Sequence, residues 1–299
     1  MKKTFIILLN WNNAPDTIEC LESLRSIPNT STHIILVDNN STDGSLEKIK
    51  KWTNDQVFNI HIISLKENRG FSGGNNAGME YALNQSADYI MLLNNDTLVT
   101  PEFFSIMLKA AEKDKNIGIV GGLIRYFPEK NNIWFNGGTI DWFKGAFYHD
   151  HRLSSEIKES QFITGCLMLI RGEALKKSGG FDDQYFLNVE DVDLSFRIHQ
   201  LGYRLDVESD SLIYHKVSRT IGGGGSKLHH YYFHRNRLLF FKKNLRGMNK
   251  YIFFTFQFLI AIPVWFLIHL ITRQFTPVRG AWLGYKDFLQ GQLGKSKHF

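Results

Sequence analysis

The chain has 299 residues, 43% of them hydrophobic and 21% charged, enough for one large domain or two modest ones and too apolar for wholesale disorder. Its two cysteines, Cys20 and Cys166, exclude a disulfide scaffold and a Cys-x-x-Cys metal site and fit a reducing cytoplasm. The net charge of +6 is uneven: residues 222–299 hold 12 Lys and Arg against one acid, leaving residues 1–221 with 23 against 28, a pattern that excludes a general nucleic-acid binder and points the basic tail at an anionic membrane surface.

Phe5–Leu9 is an apolar run that stops at Asn10, shorter than the roughly 7–15 residues of an export signal, and it predicts a buried strand. Similar runs recur at His33–Val37, Ile60–Ser64, Tyr89–Leu93 and Ile117–Leu123. Helix starts lie between them, at Pro15 after Asn13, at Ser45 after Asp43-Gly44 and at Pro101 after Thr100. This alternation predicts an α/β domain: a Rossmann-like, mainly parallel central sheet with helices on both faces. Ligands of such sheets bind beyond the carboxyl ends of the strands.

Polar turn residues follow four of these runs: Asn10-Trp11-Asn12, Asp38 to Gly44, Asn68 to Gly78, and Asn94-Asn95-Asp96. Asn, Asp and Gly form turns anywhere, but four such turns on one sheet edge mark a site. The glycine run 70–78 has the look of a phosphate loop, although it matches neither the dinucleotide nor the Walker pattern. Beyond about residue 125 an aromatic stretch holds Trp134, Phe135, Trp142, Phe143, Phe147 and Tyr148, which serves either as a sugar-stacking platform or as core. Glu190, Asp191 and Asp193 cluster at a helix start, where the dipole favours negative charge. Like charges so close raise one pKa and make a better base near neutrality.

The C-terminal region reads differently. Gly222–Gly225 is a flexible loop, either closing over a ligand or serving as a linker, and a basic helical segment follows to residue 250. Tyr251–Thr272 holds no Asp, Glu, Lys or Arg over 22 residues, against about 20 for a spanning helix. Pro263 near its middle predicts a break, and two short helices dipping into one leaflet, which keep both basic flanks on the cytoplasmic side, are the first reading, with a single span second and a buried soluble helix pair third. The expected units are an α/β domain over 1–221, split into halves of about 1–125 and 126–221, a loop and basic segment over 222–250, and a membrane-associating region over 251–299.

The ordered motifs Asn10-Trp11-Asn12, Val-Asp-Asn-Asn-Ser-x-Asp-Gly-Ser (37–45), Asn-Arg-Gly-Phe-Ser-Gly-Gly-Asn-Asn-x-Gly (68–78), Leu-Leu-Asn-Asn-Asp (92–96) and Glu-Asp-Val-Asp-Leu (190–194) resemble those of family 2 inverting glycosyltransferases of the GT-A fold. The likeness covers about residues 4–240 and is greatest to bacterial rhamnosyltransferase-type members. It implies a nucleotide-diphospho-sugar donor, dTDP-rhamnose first and UDP-sugars next, and a lipid-linked saccharide acceptor at the cytoplasmic face of the inner membrane. Asp38 then reads the nucleotide base, with Asn10, Asn12 and Asn40 beside it. Asn68, Gly70 and Asn75 contact the donor, while Arg69 either does so or pairs with a local acid. Asn94, Asn95, Thr164 and Gly165 line the donor sugar, and Arg235 holds its diphosphate. Asp96 closes the counterpart of the family's metal-binding Asp-x-Asp motif, from which Asn94 departs, and binds Mg2+ or Mn2+ with His215 as second ligand. Asp191 is the general base; Glu190, Asp193 and Trp142 hold the acceptor or neighbouring basic groups. The Gln-x-x-Arg-Trp motif of processive synthases is missing, which implies addition of one sugar per encounter. A sugar-phosphate nucleotidyltransferase and a non-catalytic carbohydrate-binding membrane protein are the rival expectations.

Overall fold

The computed structural model describes residues 2–27, 32–54, 60–153, 158–217 and 225–299. The apolar runs form β1 (Thr4–Asn10), β2 (Thr32–Asp38), β3 (Ile60–Ser64), β4 (Tyr89–Asn94) and, after a short β5 (Thr97–Val99), β6 (Ile117–Tyr126). Successive side chains of β1 and β4 are almost all buried. Neighbours on a strand point to opposite faces, so both faces of the sheet are covered, as a continuous apolar run predicts. The intervening helices are α1 (Ala14–Ser23), α2 (Ser45–Asn54), α3 (Gly70–Asn84) and α4 (Phe103–Glu112).

Strands β3, β2, β1 and β4 pair in parallel in that order, with Asn10 opposite Asp38 and Leu9 opposite Asn94. The chain then adds β7 (Ile133–Phe135), a separate hairpin of β8 (Gly138–Asp141) and β9 (Ala146–His149), and β10 (Lys158–Glu159). Next, β11 (Leu167–Arg171) inserts antiparallel between β4 and β6, and β12 (Arg204–His215) pairs in parallel with β6. The sheet is parallel in its first half and mixed in its second. Helices α5 (Gly172–Ser178) and α6 (Glu190–Gln200) fall between the last two strands.

Two expectations need correction. The glycine run is the body of α3 rather than a loop. A methyl on Gly74 would sit 2.5 Å from a Leu9 methyl and one on Gly78 2.7 Å from Ile7, so these glycines let the helix lie close on β1. Pro263 does not break the C-terminal apolar segment either. Helix α7 (Lys227–Asn244) is followed by α8 (Gly247–Phe256), a π-helical segment (Gln257–Ala261) and α9 (Ile262–Ile271), with no interruption between Gly247 and Ile271. The π segment includes Leu259, whose carbonyl an α-helical Pro263 ring would strike, and widening the turn there removes the clash. The chain reverses instead at 272–274, and α10 (Phe275–Leu289) returns along α7. A methyl on Gly280 would lie 2.5 Å from the Lys227 carbonyl and one on Gly284 2.4 Å from that of Tyr231, so these two backbones touch. Of the Gly222–Gly225 loop, residues 222–224 lie outside the described residues.

A candidate active site at the carboxyl edge of the sheet

Parallel pairing sets the ends of β2, β1 and β4 side by side, and the residues after them are wired together. Asn10 Nδ2 donates to Asp38 Oδ1 at 2.8 Å, and Ser41 donates through its backbone N–H (3.0 Å) and its hydroxyl (2.7 Å) to the two Asp38 oxygens. Asp38 is buried. It closes a turn with Ser41, whose hydroxyl also accepts from Asn12 N–H at 2.9 Å; Thr42 N–H donates to Asn12 Oδ1 at 2.8 Å. Asn40, with φ +60°, is exposed. On the other side of β1, Asn95 Nδ2 donates to Thr17 Oγ1, which lies 2.8 Å from Asn10 Oδ1. The end of β4 and the end of β2 are thus joined through Thr17 and Asn10.

Asn39, which the sequence did not single out, ties in the third turn. It is buried, accepts from Arg69 N–H (2.9 Å) and donates to Asn68 Oδ1 (3.1 Å) and the Gly70 carbonyl (3.0 Å). Asn68 in turn accepts from Gly70 N–H at 2.8 Å. Arg69 takes the second of its two expected roles, with its guanidinium 3.8 Å from Asp183 on the exposed surface. Asn75 sits inside α3 and donates to the Phe71 carbonyl one turn back.

Asp96 and His215 are far apart in the sequence. Pairing of His215 with Thr97 across β12 and β5, and a Lys216 N–H donated to the Asp96 carbonyl at 3.0 Å, bring them together. Both side chains are buried, and His215 Nε2 is 3.1 Å from Asp96 Oδ1. Adjacent ligands at about 2.1 Å on an octahedral cation lie about 3 Å apart, so this separation suits one shared divalent ion. His215 Nδ1 is buried with no hydrogen-bond partner among the described residues. Among those residues no group of three or more His, Cys, Asp or Glu surrounds a metal position, so a cation here would complete its shell with water or ligand oxygens. A carboxylate and an imidazole fit that role; Asn94 adds only a neutral amide.

Asp191 lies at the start of α6. Its carboxylate accepts from Gly165 N–H (2.9 Å) and from Val192 N–H (2.8 Å), which joins it to the Thr164-Gly165-Cys166 turn before β11. That turn meets β4, because Asn94 N–H donates to the Cys166 carbonyl at 3.0 Å. Burial raises the Asp191 pKa above the usual carboxylate value while the two N–H donors oppose it. The Cys166 thiol is pushed well up by burial, and the charges of both Asp96 and Asp191 add to the shift. Asp96 and Asp191 therefore sit within electrostatic reach of one residue, and Cys166 is a buried neutral thiol.

The acidic cluster divides its work. Glu190 is buried, its Oε2 has no hydrogen-bond partner among the described residues, and burial followed by the Asp191 charge raises its pKa well above the ordinary value. Asp193, by contrast, is turned into the protein. Tyr185 Oη donates to it at 3.0 Å and Arg197 Nε at 2.7 Å, so it holds a neighbouring basic group and offers nothing to an acceptor.

Arg235 has a different task from the one expected of it. It is fully buried, and its nitrogens donate to Asn236 Oδ1, Tyr231 Oη and the carbonyls of Gly294, Gln184 and Tyr185. No face of the guanidinium is left for a diphosphate. Asn236, beside it, donates to the carbonyls of Tyr185 (2.8 Å), Leu187 (2.7 Å) and Asn188 (2.9 Å). The loop they grip leads into Asp191 and carries Phe186, Asn188 and Val189 at φ +63°, +68° and +75°. A β-branched residue in that region is strained, and such strain persists only where the surroundings enforce it. Trp142 packs against Phe196, Phe240 and Phe241, and with Phe135 and Phe147 it belongs to an aromatic core joining the β8–β9 hairpin to α6 and α7. Phe143 and Tyr148 remain exposed.

Comparison with known proteins gives the family and the fold. The profile of glycosyl transferase family 2 matches residues 5–179. A poly-beta-1,6-N-acetyl-D-glucosamine synthase of Staphylococcus aureus (strain MSSA476) is 31% identical over 225 residues, 72% of this chain and 50% of its own length. The Staphylococcus epidermidis enzyme of that name is 26% identical over 219 residues, 73% and 50% of the two chains. The chain thus spans about half the length of the curated relatives it matches. Among solved structures, the mannosyltransferase PcManGT of Pyrobaculum calidifontis in complex with GDP-Man and Mn2+ superposes with a TM-score of 0.65 at 15% identity, over 97% of this chain and 88% of its own. GalNAc-T7 with UDP, GalNAc and Mn2+ gives 0.66 at 16%, over 81% and 48%. At such identities the likeness is one of fold, the GT-A fold. By the family match over more than half of its residues, the chain belongs to glycosyl transferase family 2.

Proposed function

We propose that the chain moves one sugar, with inversion, from a nucleotide-diphospho-sugar to a hydroxyl of a lipid-linked saccharide during bacterial cell-surface polysaccharide synthesis. The motif resemblance favours dTDP-rhamnose as donor. The observation that carries this reading is the wiring of Asp38, Asp96 with His215, and Asp191 along one sheet edge, through Asn10, Thr17, Asn95 and the Cys166 turn.

Asp38 accepts from the base, and the turns after β1 and β2 surround the nucleoside. Asp96 and His215 hold a divalent cation, Mg2+ or Mn2+, which when bound supplies positive charge beside the departing diphosphate. Asp191, oriented by Gly165 N–H, takes the acceptor proton as the acceptor oxygen attacks the anomeric carbon and the nucleoside diphosphate leaves. Its raised pKa brings its basicity nearer the working pH. Glu190, beside it, faces the acceptor.

Support for a membrane partner comes from α8 and α9. Met248, Ile252, Leu259, Val264, Leu267 and Ile271 are among the exposed apolar residues of the continuous 25-residue helix. Exposed apolar area of that extent marks an interaction surface, and Arg246, Arg273 and Arg279 flank it. The helix meets the membrane from the cytoplasmic side through this surface.

The test is Asp191→Asn. Turnover, read as nucleoside diphosphate released from a panel of nucleotide sugars, should fall about 10²–10⁴-fold while donor affinity stays unchanged. Asp96→Ala should weaken donor binding and metal dependence together. Near-normal turnover by Asp191→Asn, or full activity in a chelator, contradicts the respective assignment. Release of pyrophosphate from a nucleoside triphosphate would make the protein a nucleotidyltransferase.

A further inference from the structure

Among the described residues a single aromatic ring packs on the His215 imidazole. It is the half-buried indole of Trp134, edge-to-face with ring centroids 4.7 Å apart and planes at 78°. The same indole meets a second imidazole, that of His149, at 4.9 Å and 78°. A line of contacts therefore runs from His149 through Trp134 to His215, and on to Asp96 through the 3.1 Å approach of His215 Nε2.

A histidine that binds a cation ordinarily has its ring plane fixed by a hydrogen bond from its other nitrogen to a carboxylate, a carbonyl or water. His215 lacks one: Nδ1 is buried with no hydrogen-bond partner among the described residues. The torsion that turns an imidazole about its Cβ–Cγ bond is broad, so without that hydrogen bond packing must set the plane. Turning the ring would carry Nε2 away from Asp96, and the indole is the ring that opposes the turn.

Trp134 is itself held. Strand β7 pairs with β6 and β6 with β12, which sets Trp134 two strands from His215. On the far side His149 Nδ1 lies 3.1 Å from the Trp134 carbonyl. A carbonyl only accepts, so Nδ1 carries the proton. The His149 ring also packs edge-to-face on the buried Phe135 at 5.0 Å. Two main-chain bonds, Asn136 N–H to the Asp150 carbonyl (2.9 Å) and Asp150 N–H to the Gly137 carbonyl (2.7 Å), clip the end of β7 to the end of β9. Burial lowers the His149 pKa to about 4, so this imidazole is neutral near pH 7 and brings no charge against a nearby cation.

We propose that Trp134, seated by His149, is a positioning residue of the cation site: its indole keeps the His215 imidazole in the plane that turns Nε2 toward Asp96, in place of the usual hydrogen bond. The inference rests on the reading of Asp96 and His215 as cation ligands. Trp134 acts through His215 and is assigned no contact with donor or acceptor.

The test is Mn2+ binding by the full chain in nonionic detergent, alone and with dTDP or UDP, read from the loss of the free-ion EPR signal. Trp134→Leu should weaken binding about 10–100-fold, the range for losing a group that orients a metal ligand. Trp134→Phe, which keeps a ring at that place, should retain most of the affinity. His215→Ala should weaken binding as well, and Trp134→Leu added to it should cost nothing further, because the ring to be positioned is gone. Phe147→Leu is the packing control: Phe147 stacks on Phe241 and meets Phe162 and Phe240, so its loss should lower the melting temperature and spare Mn2+ affinity. Wild-type affinity in Trp134→Leu, or full additivity with His215→Ala, would overturn the inference and leave His215 a ligand. Equal losses of Mn2+ affinity in Trp134→Leu and Phe147→Leu would mark a merely structural role and overturn it too. Unchanged binding in His215→Ala, or none by the wild type, would instead remove the cation reading itself and this inference with it.

Discussion

The two ends of the candidate site are built in opposite ways. At the donor end the turns after β1, β2 and β4 satisfy one another: Asn10, Asp38, Ser41, Asn39 and Asn68 spend their polar atoms on each other over distances of 2.7–3.1 Å. At the acceptor end the backbone before Asp191 is held in left-handed geometry, and Glu190 Oε2 and Asn188 Nδ2 are buried without partners among the described residues. The first end is rigid because its own hydrogen bonds make it so. The second is held largely from outside, by α7 through Arg235 and Asn236 and by Gly294 beyond α10. Under the proposed function this contrast separates two tasks: turns that satisfy one another would recognise the donor, and the loop before Asp191 would be positioned from the C-terminal helices.

Breaking the clamp is the strongest test of that contrast. Asn236→Ala removes a donor from the carbonyls of Leu187 and Asn188 and one of two side-chain donors from that of Tyr185, and each buried loss costs about 1–3 kcal/mol. Turnover should drop about 10²-fold with donor affinity unchanged, because a misplaced base loses transition-state stabilisation and not donor contacts. A drop in donor affinity of equal size would mean that the two ends are one unit. The reciprocal change, Asn39→Ala, should weaken donor binding about tenfold and leave the acidic limb of the pH–rate profile in place. That limb should lie above the ordinary carboxylate range, with activity falling as pH falls through the raised Asp191 pKa.

Glu190 offers a subtler probe. Its pKa is raised on folding, so the native state holds its proton more tightly than the unfolded chain does. Stability should accordingly decline as pH rises from the unfolded value toward the folded one. Glu190→Gln should flatten that decline and raise Tm at neutral pH, seen by thermal unfolding across a pH series; an unchanged pH dependence would show the carboxyl to be solvated. Smallest of all, Asn188→Gly removes an unpartnered buried amide at a positive-φ position and should stabilise by about 0.5 kcal/mol with turnover retained. A fall in Tm would show that the Asn188 side chain has a partner in solution.

The parallel half of the fold was legible in the sequence for a physical reason. A strand buried on both faces needs an unbroken apolar run, and Phe5–Leu9, His33–Val37 and Tyr89–Leu93 are such runs, each closed by polar residues at the edge where ligands bind. The glycine segment was open to misreading because glycine serves close packing and phosphate binding alike. Its spacing held the answer, since Gly70, Gly74 and Gly78 recur every fourth residue along one helical face. The alternation of Leu205 and Val207 likewise signals the first half of β12, of which Ser211–Tyr214 is only the end. Nothing local marks Asn236 or Arg235. Their partners lie about fifty residues away in sequence, and a contact between distant backbone carbonyls and a side chain leaves no periodicity to read.

Pro263 was taken as a breaker, but the π segment absorbs it, and the reversal at 272–274 sends α10 back onto α7. From there residues 294–296 reach the base loop itself: Gly294 N–H donates to the Gln184 carbonyl at 2.8 Å, its carbonyl accepts from Arg235, and Ser296 N–H donates to Tyr232 Oη at 2.9 Å. The apolar helices are for this reason no detachable foot. Cutting the protein after residue 250 would strip Arg235 of a hydrogen-bond acceptor and unfasten Gln184, so the loop before Asp191 would lose part of its support.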